Sequence, residues 1–88
     1  MRLRATKRGI KSLSKLDRQK RAAAEKALNT FLIDPRSPGL HFEKLPGYRD
    51  LHTIRVDVGF GIFLRSTAES DLYEIVDAGP HDRYKRVR

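Results

Sequence analysis

Leu51-His-Thr-Ile-Arg-Val-Asp57, Gly59-Phe-Gly-Ile-Phe-Leu-Arg65 and Asp71-Leu-Tyr-Glu-Ile-Val-Asp-Ala-Gly-Pro-His-Asp-Arg-Tyr84 follow one another in the last third of the chain. All three are rich in β-branched and aromatic residues and are bounded by turn formers at hairpin spacing, which predicts consecutive antiparallel strands. In the first, Ile54 and Val56 alternate with Thr53, Arg55 and Asp57. Gly59 is the natural turn into Phe60–Arg65, and Ser66 to Ser70 form a second polar turn. Leu72 to Val76 make the last strand, which closes on a Gly79-Pro80 turn bearing His81, Asp82, Arg83 and Tyr84.

Upstream, Leu40-His-Phe-Glu-Lys-Leu45 predicts a further strand with Leu40, Phe42 and Leu45 toward the core, closed by Pro46-Gly47. Asp34-Pro-Arg-Ser-Pro-Gly39 is a turn-rich connector. Before it, Arg18 onward is built of strong helix formers, with an apolar stripe of Ala23 or Ala24, Ala27, Leu28, Phe31 and Leu32. Asp17 is placed to cap this helix, and Pro35 ends it. Lys7 to Leu16 carries Ile10, Leu13 and Leu16 at three-residue spacing, which suits a short amphipathic helix. Met1 to Thr6 alternates as a short edge strand. The order β-α-α-β-β-β-β predicts an α+β two-layer sandwich: an N-terminal strand and a helical hairpin packed on a four-stranded antiparallel sheet.

The 88 residues make one domain, 1–88, too small for a second core or a large enclosed cavity. With no cysteine, disulfide frameworks, zinc–thiolate sites and thiol catalysis are excluded together. Apolar stretches are only a few residues long, and no secretory leader pattern opens the sequence. The expectation is a cytoplasmic protein without a membrane segment. The net charge of +8 is unevenly spread: residues 1–21 hold nine lysines and arginines against Asp17 alone, whereas residues 22–82 carry six bases and ten acids. Arg83, Lys85, Arg86 and Arg88 make the end of the chain basic again. Such termini favour a polyanionic partner, nucleic acid or acidic peptide, over a face that serves only solubility.

His81 is a candidate general acid or base, set against the alternative of an ordinary exposed turn histidine. Tyr84 either serves the same site or folds back over the core. Arg55 and Arg65, on neighbouring strands, are candidate phosphate ligands, and equally candidate partners for acids such as Glu74. His41, His52 and Glu43 fit no established metal-ligand spacing. Ser12 and Ser14 lack a neighbouring base, so a serine nucleophile has no support.

The element order, Lys44-Leu-Pro-Gly47, Ile54-Arg-Val56, the hairpin and the Asp77-Ala-Gly-Pro-His-Asp-Arg-Tyr84 ending together resemble the RelE/ParE superfamily of bacterial type II toxins, from about Met1 to Tyr84. The resemblance implies a toxin held by a cognate antitoxin, here expected to be acidic. It further implies a metal-independent mRNA endoribonuclease that acts with the ribosome and needs no cofactor. The residues it carries over are Arg55, His81, Arg83 and Tyr84; Arg65 joins the catalytic set as a substitute for the arginine missing at position 61, and Lys85 and Arg86 of the basic tail join Arg83 as candidate RNA contacts. The chain departs from the pattern at Thr53 and Gly61, two positions that are usually basic. The alternatives are therefore a ParE-like toxin that poisons DNA gyrase, or an inactive member that binds antitoxin.

Overall fold

The computed structural model of the chain describes residues 1–80. The elements are β1 (Arg2–Ala5), α1 (Lys7–Ser14), α2 (Arg18–Ile33), a 3-10 turn at Pro38–Leu40, β2 (Glu43–Lys44), β3 (Leu51–Asp57), β4 (Phe60–Ser66) and β5 (Leu72–Pro80). The strands form one sheet in the order β1-β5-β4-β3-β2. The architecture is the expected α+β sandwich, with one difference. The sheet has five strands and is mixed, because β1 joins it by pairing parallel to β5, Arg2 opposite Leu72 through Ala5 opposite Ile75. The other pairs are antiparallel.

Both helices start where the sequence predicts. Asp17 caps α2 by accepting from the Lys20 amide at 2.8 Å, and the helix stops at Ile33, two residues before Pro35. Ala24, Ala27 and Phe31 are its buried stripe, whereas Leu32 turns outward. Two local expectations change. The segment 40–45 is mostly not strand: it is a 3-10 turn ending on left-handed His41, then only two paired residues. Gly79 and Pro80 are not a turn but the end of β5, opposite Gly61 and Phe60.

The sheet is buried on both faces. Ile54, Ile62, Leu64, Ile75 and Ala78 meet α2 and Leu40 in the main core. Leu45, Leu51 and Phe63 form a second cluster on the opposite face, flanked by Tyr48 and Val76. Two-sided burial explains the unbroken Ile62-Phe-Leu64 run, which simple alternation does not. On the helical face, Phe31, Phe42, His52 and Tyr73 pack mainly edge to face, with centroids 5.0–5.6 Å apart.

The joint between β1 and α1 is tight. The Thr6 hydroxyl accepts from the Gly9 amide and donates to the Ile75 carbonyl, both at 3.0 Å. The Thr6 amide donates to that same carbonyl at 3.0 Å. Gly9 then packs so closely on β5 that a Cβ there would lie 2.1 Å from the Ile75 oxygen. Gly9→Ala is therefore expected to cost about 3 kcal/mol, the upper end of overpacking penalties, whereas Gly39→Ala, which meets nothing within 4 Å, changes stability little. Urea unfolding midpoints at unchanged m-value check the pair.

At the outer edge, Arg2 donates to Asp71 (2.9 and 3.0 Å) and to Glu69 (3.1 Å). The Arg2 hydrogen bonds hold the Asp71 carboxyl below its ordinary value. A depressed carboxylate stabilises the fold above its unfolded pKa, and that stability is lost as pH falls through the folded value. Arg2→Gln is expected to remove a small part of the stability at neutral pH and flatten its decline below about pH 4. Thermal melts across that range read the effect.

Candidate functional site

Of the residues singled out from sequence, His81, Arg83, Tyr84, Lys85 and Arg86 lie outside the described residues. Arg55 and Arg65 lie within them, both exposed. Register separates the two. Arg55 stands opposite Gly61, and Arg65 is four residues further along β4, opposite Leu51. Four strand steps separate their backbones by about 13 Å. They also line different hollows. Arg55 borders one of about 360 Å³ with Ala23, Lys26, Thr30 and Ser37. Arg65 borders one of about 330 Å³ with Thr6, Arg8, Leu51, Phe63, Val76 and Asp77.

The second hollow has the more developed chemistry. Its floor is the apolar cluster on the face away from α2, and its polar groups arrive from three elements. Asp77, on β5, is only 5% exposed. One of its oxygens accepts from the Ser12 hydroxyl at 2.6 Å and from the Ala78 amide at 2.8 Å. The other accepts from Arg8 Nη2 at 3.3 Å. Arg8 and Ser12 sit four apart on α1, hence on one helical face, and the Gly9 contact brings that face against β5. The Arg8 side chain is nevertheless 65% exposed. Arg65 is half-exposed, its Nε 3.7 Å from an Asp50 oxygen, near enough for charge attraction but too far for a hydrogen bond. The hollow thus presents two cations at its mouth and keeps its carboxylate below.

Position 61 is sterically closed. Gly61 is a buried strand residue rather than part of the turn, and a Cβ on it would lie 2.8 Å from the Ile54 carbonyl and 2.9 Å from the Thr53 hydroxyl. The β3 strand is irregular just beyond, between Arg55 and Asp57. The Thr53 hydroxyl is buried without a hydrogen-bond partner among the described residues. Thr53 and Gly61, the two departures from the basic pattern, therefore face each other in one packed contact.

Arg8, Ser12 and Asp77 escaped the sequence reading as site residues. Arg8 is one cation among nine in its region, and nothing local distinguishes it. Asp77 carried a usable signal, an acid amid the apolar residues of a strand, which calls for a partner when buried. Among the described residues no group of three or more histidines, aspartates and glutamates is placed to hold a metal ion, and no helix is long and apolar enough to cross a membrane.

No protein-family model matches the chain, and no curated protein matches it in sequence. Solved structures do match in shape. The isolated RelE toxin of E. coli superposes with a TM-score of 0.69 at 22% identity, covering 99% of this chain and 98% of that one. RelE in the RelE–RelB complex of Pyrococcus horikoshii gives a TM-score of 0.71 at 18% identity, covering 93% and 96%. The E. coli RelBE toxin–antitoxin complex gives 0.69 at 24%, covering 90% and 94%. Near-complete coverage in both directions at such low identity is a likeness of backbone, and it extends over the helices and the sheet alike: the chain has the fold of the RelE toxins.

Proposed function

We propose that this protein is the toxin of a type II toxin–antitoxin pair, a cytoplasmic mRNA endoribonuclease that acts on message at the ribosome and stops translation. The observation that carries this reading is the RelE fold combined with exposed arginines, Arg55 and Arg65, on its two central hairpin strands. In this reading the 2′-hydroxyl attacks the neighbouring phosphorus and the 5′-oxygen leaves. The 2′-hydroxyl gives up a proton and the leaving 5′-oxygen gains one; His81 moves one of these and water exchanges the other, while the arginines stabilise the negative charge on the phosphorane. Arg55 and Arg65 border different hollows and hold neighbouring phosphates of the strand. Tyr84 stacks on or orients a base, and Arg83, Lys85 and Arg86 grip the backbone. The chemistry is assigned to side chains alone, without a metal or cofactor.

The partner that fits a basic, shallow surface is an acidic antitoxin whose segment folds as it binds, with charge complementarity speeding the encounter. It is expected to cover Arg55 and His81. A second reading, a non-nuclease toxin directed at DNA gyrase, is favoured by one observation: the packing around Gly61 leaves no room for an arginine there.

Cell-free translation followed by primer extension on the message separates the two. New 5′ ends inside the reading frame, lost in His81→Ala with Tyr84→Ala, are expected; uncut message with translation unimpaired overturns the nuclease reading, and inhibited gyrase supercoiling would then support the second. Arg55→Gln is expected to slow cleavage roughly 10²–10³-fold. Gly61→Arg is expected to leave cleavage no faster and to lower stability by about 1–3 kcal/mol, measured by primer extension and urea unfolding on the same preparation.

A further inference from the structure

We propose that Arg8, at the start of α1, is an RNA-binding residue that acts with Arg65: together they hold the phosphates of a single strand whose base or ribose rests on the apolar floor of the hollow between them. This inference rests on the nuclease reading above and adds to it a binding contribution from the helical hairpin.

Five features of the hollow carry it. Asp77 fixes one of the Arg8 nitrogens at 3.3 Å, and Ser12 fixes Asp77 in turn at 2.6 Å. A guanidinium group has five N–H donors, and with its side chain 65% exposed Arg8 keeps others turned to solvent. Arg65 lies at the same hollow with no hydrogen bond to its neighbour Asp50. The countercharge, Asp77, is nearly inaccessible, so an approaching ligand meets cations before it meets the acid. The floor of Leu51, Phe63 and Val76 suits the flat apolar face of a base, and about 330 Å³ is at the small end of ligand sites, in keeping with one nucleotide unit. An ion pair that served only to neutralise a buried aspartate would not need Arg8 so exposed. An acidic peptide would satisfy the cations but leave the floor unused.

The experiment measures equilibrium binding of a short, uncleavable 2′-O-methylated oligoribonucleotide over a range of salt concentrations. It compares the wild type, Arg8→Gln, and the double variant Arg8→Gln with Asp77→Asn. The double variant removes one positive and one negative charge, so it keeps the net charge and leaves no unpaired buried carboxylate. The melting temperature of each is taken alongside. The expected result is about tenfold weaker binding in both variants, with a salt dependence shallower by about 0.7 in log–log slope, the loss of one phosphate contact on a single strand. Stability is expected to return in the double variant while affinity does not. Affinity that recovers together with stability would overturn the proposal and leave Arg8 as a structural partner of Asp77. Unchanged RNA binding with lost binding of a polyglutamate peptide would also overturn it, reassigning the hollow to a protein. If the wild type itself fails to bind the oligonucleotide, this inference falls, while primer extension in the translation assay decides the nuclease reading separately. Cleavage by the wild type alongside unaltered binding by the variants would sink the inference alone.

Discussion

The Ile75 carbonyl is the point on which the arrangement turns. It accepts from both the amide and the hydroxyl of Thr6, and Gly9 is pressed against it from the next turn. One oxygen thus ends β1, starts α1 and sets their distance from β5. From that joint the neighbouring geometry follows: β1 runs parallel to β5 only as far as Ile75, and α1 packs on β5 from there. The helical spacing of Arg8 and Ser12 then brings both onto Asp77, two residues further along β5. A larger residue than glycine at position 9 would push α1 off the sheet and separate these groups.

The charge asymmetry of the sequence acquires a different meaning once the strands are paired. The basic N-terminal region and the acidic middle meet in space. Arg2 binds Asp71 and Glu69, Arg4 binds Glu74, Arg8 binds Asp77, and Lys20 binds Asp57 while lying over the Phe60 ring. Most of these pairs are exposed and each contributes little to stability. Their larger effect is on the electrostatic surface. Cations that have an acid partner are partly neutralised, whereas Lys7, Lys11, Lys15 and Arg18 make no ion pair among the described residues. The field that a polyanion would meet is shaped by such unpaired cations, Arg55 among them, and by Arg8 and Arg65, which stay exposed beside their acids.

Packing on both faces of the sheet also constrains the candidate site. With Phe63 and Leu51 buried opposite the main core, the face away from α2 is a thin apolar layer rimmed by arginines, not an open polar surface. The closed contact between Gly61 and Thr53 belongs to the same layer. The two positions are sterically coupled: the space a side chain at position 61 would take is occupied by the Ile54 carbonyl and the buried Thr53 hydroxyl.

The sequence by itself determined the helices, the central hairpin and the outline of the core. Caps, proline stops, turn glycines and apolar periodicity act over a few residues, and Asp17, Pro35 and Gly59 each announce their role locally. It also marked Arg55 and Arg65 as exposed cations. Three things were decided only by tertiary structure. The parallel pairing of β1 with β5 joins residues about seventy positions apart, which no local signal encodes. The short β2 and the continuation of β5 through Pro80 depend on which neighbouring strand is there to receive a hydrogen bond. The hollow bordered by Arg8, Arg65 and Asp77 exists because a glycine lets a helix touch a strand: the charges are written in the sequence, but their convergence is a product of distance, and distance between remote residues is set only when the chain has folded.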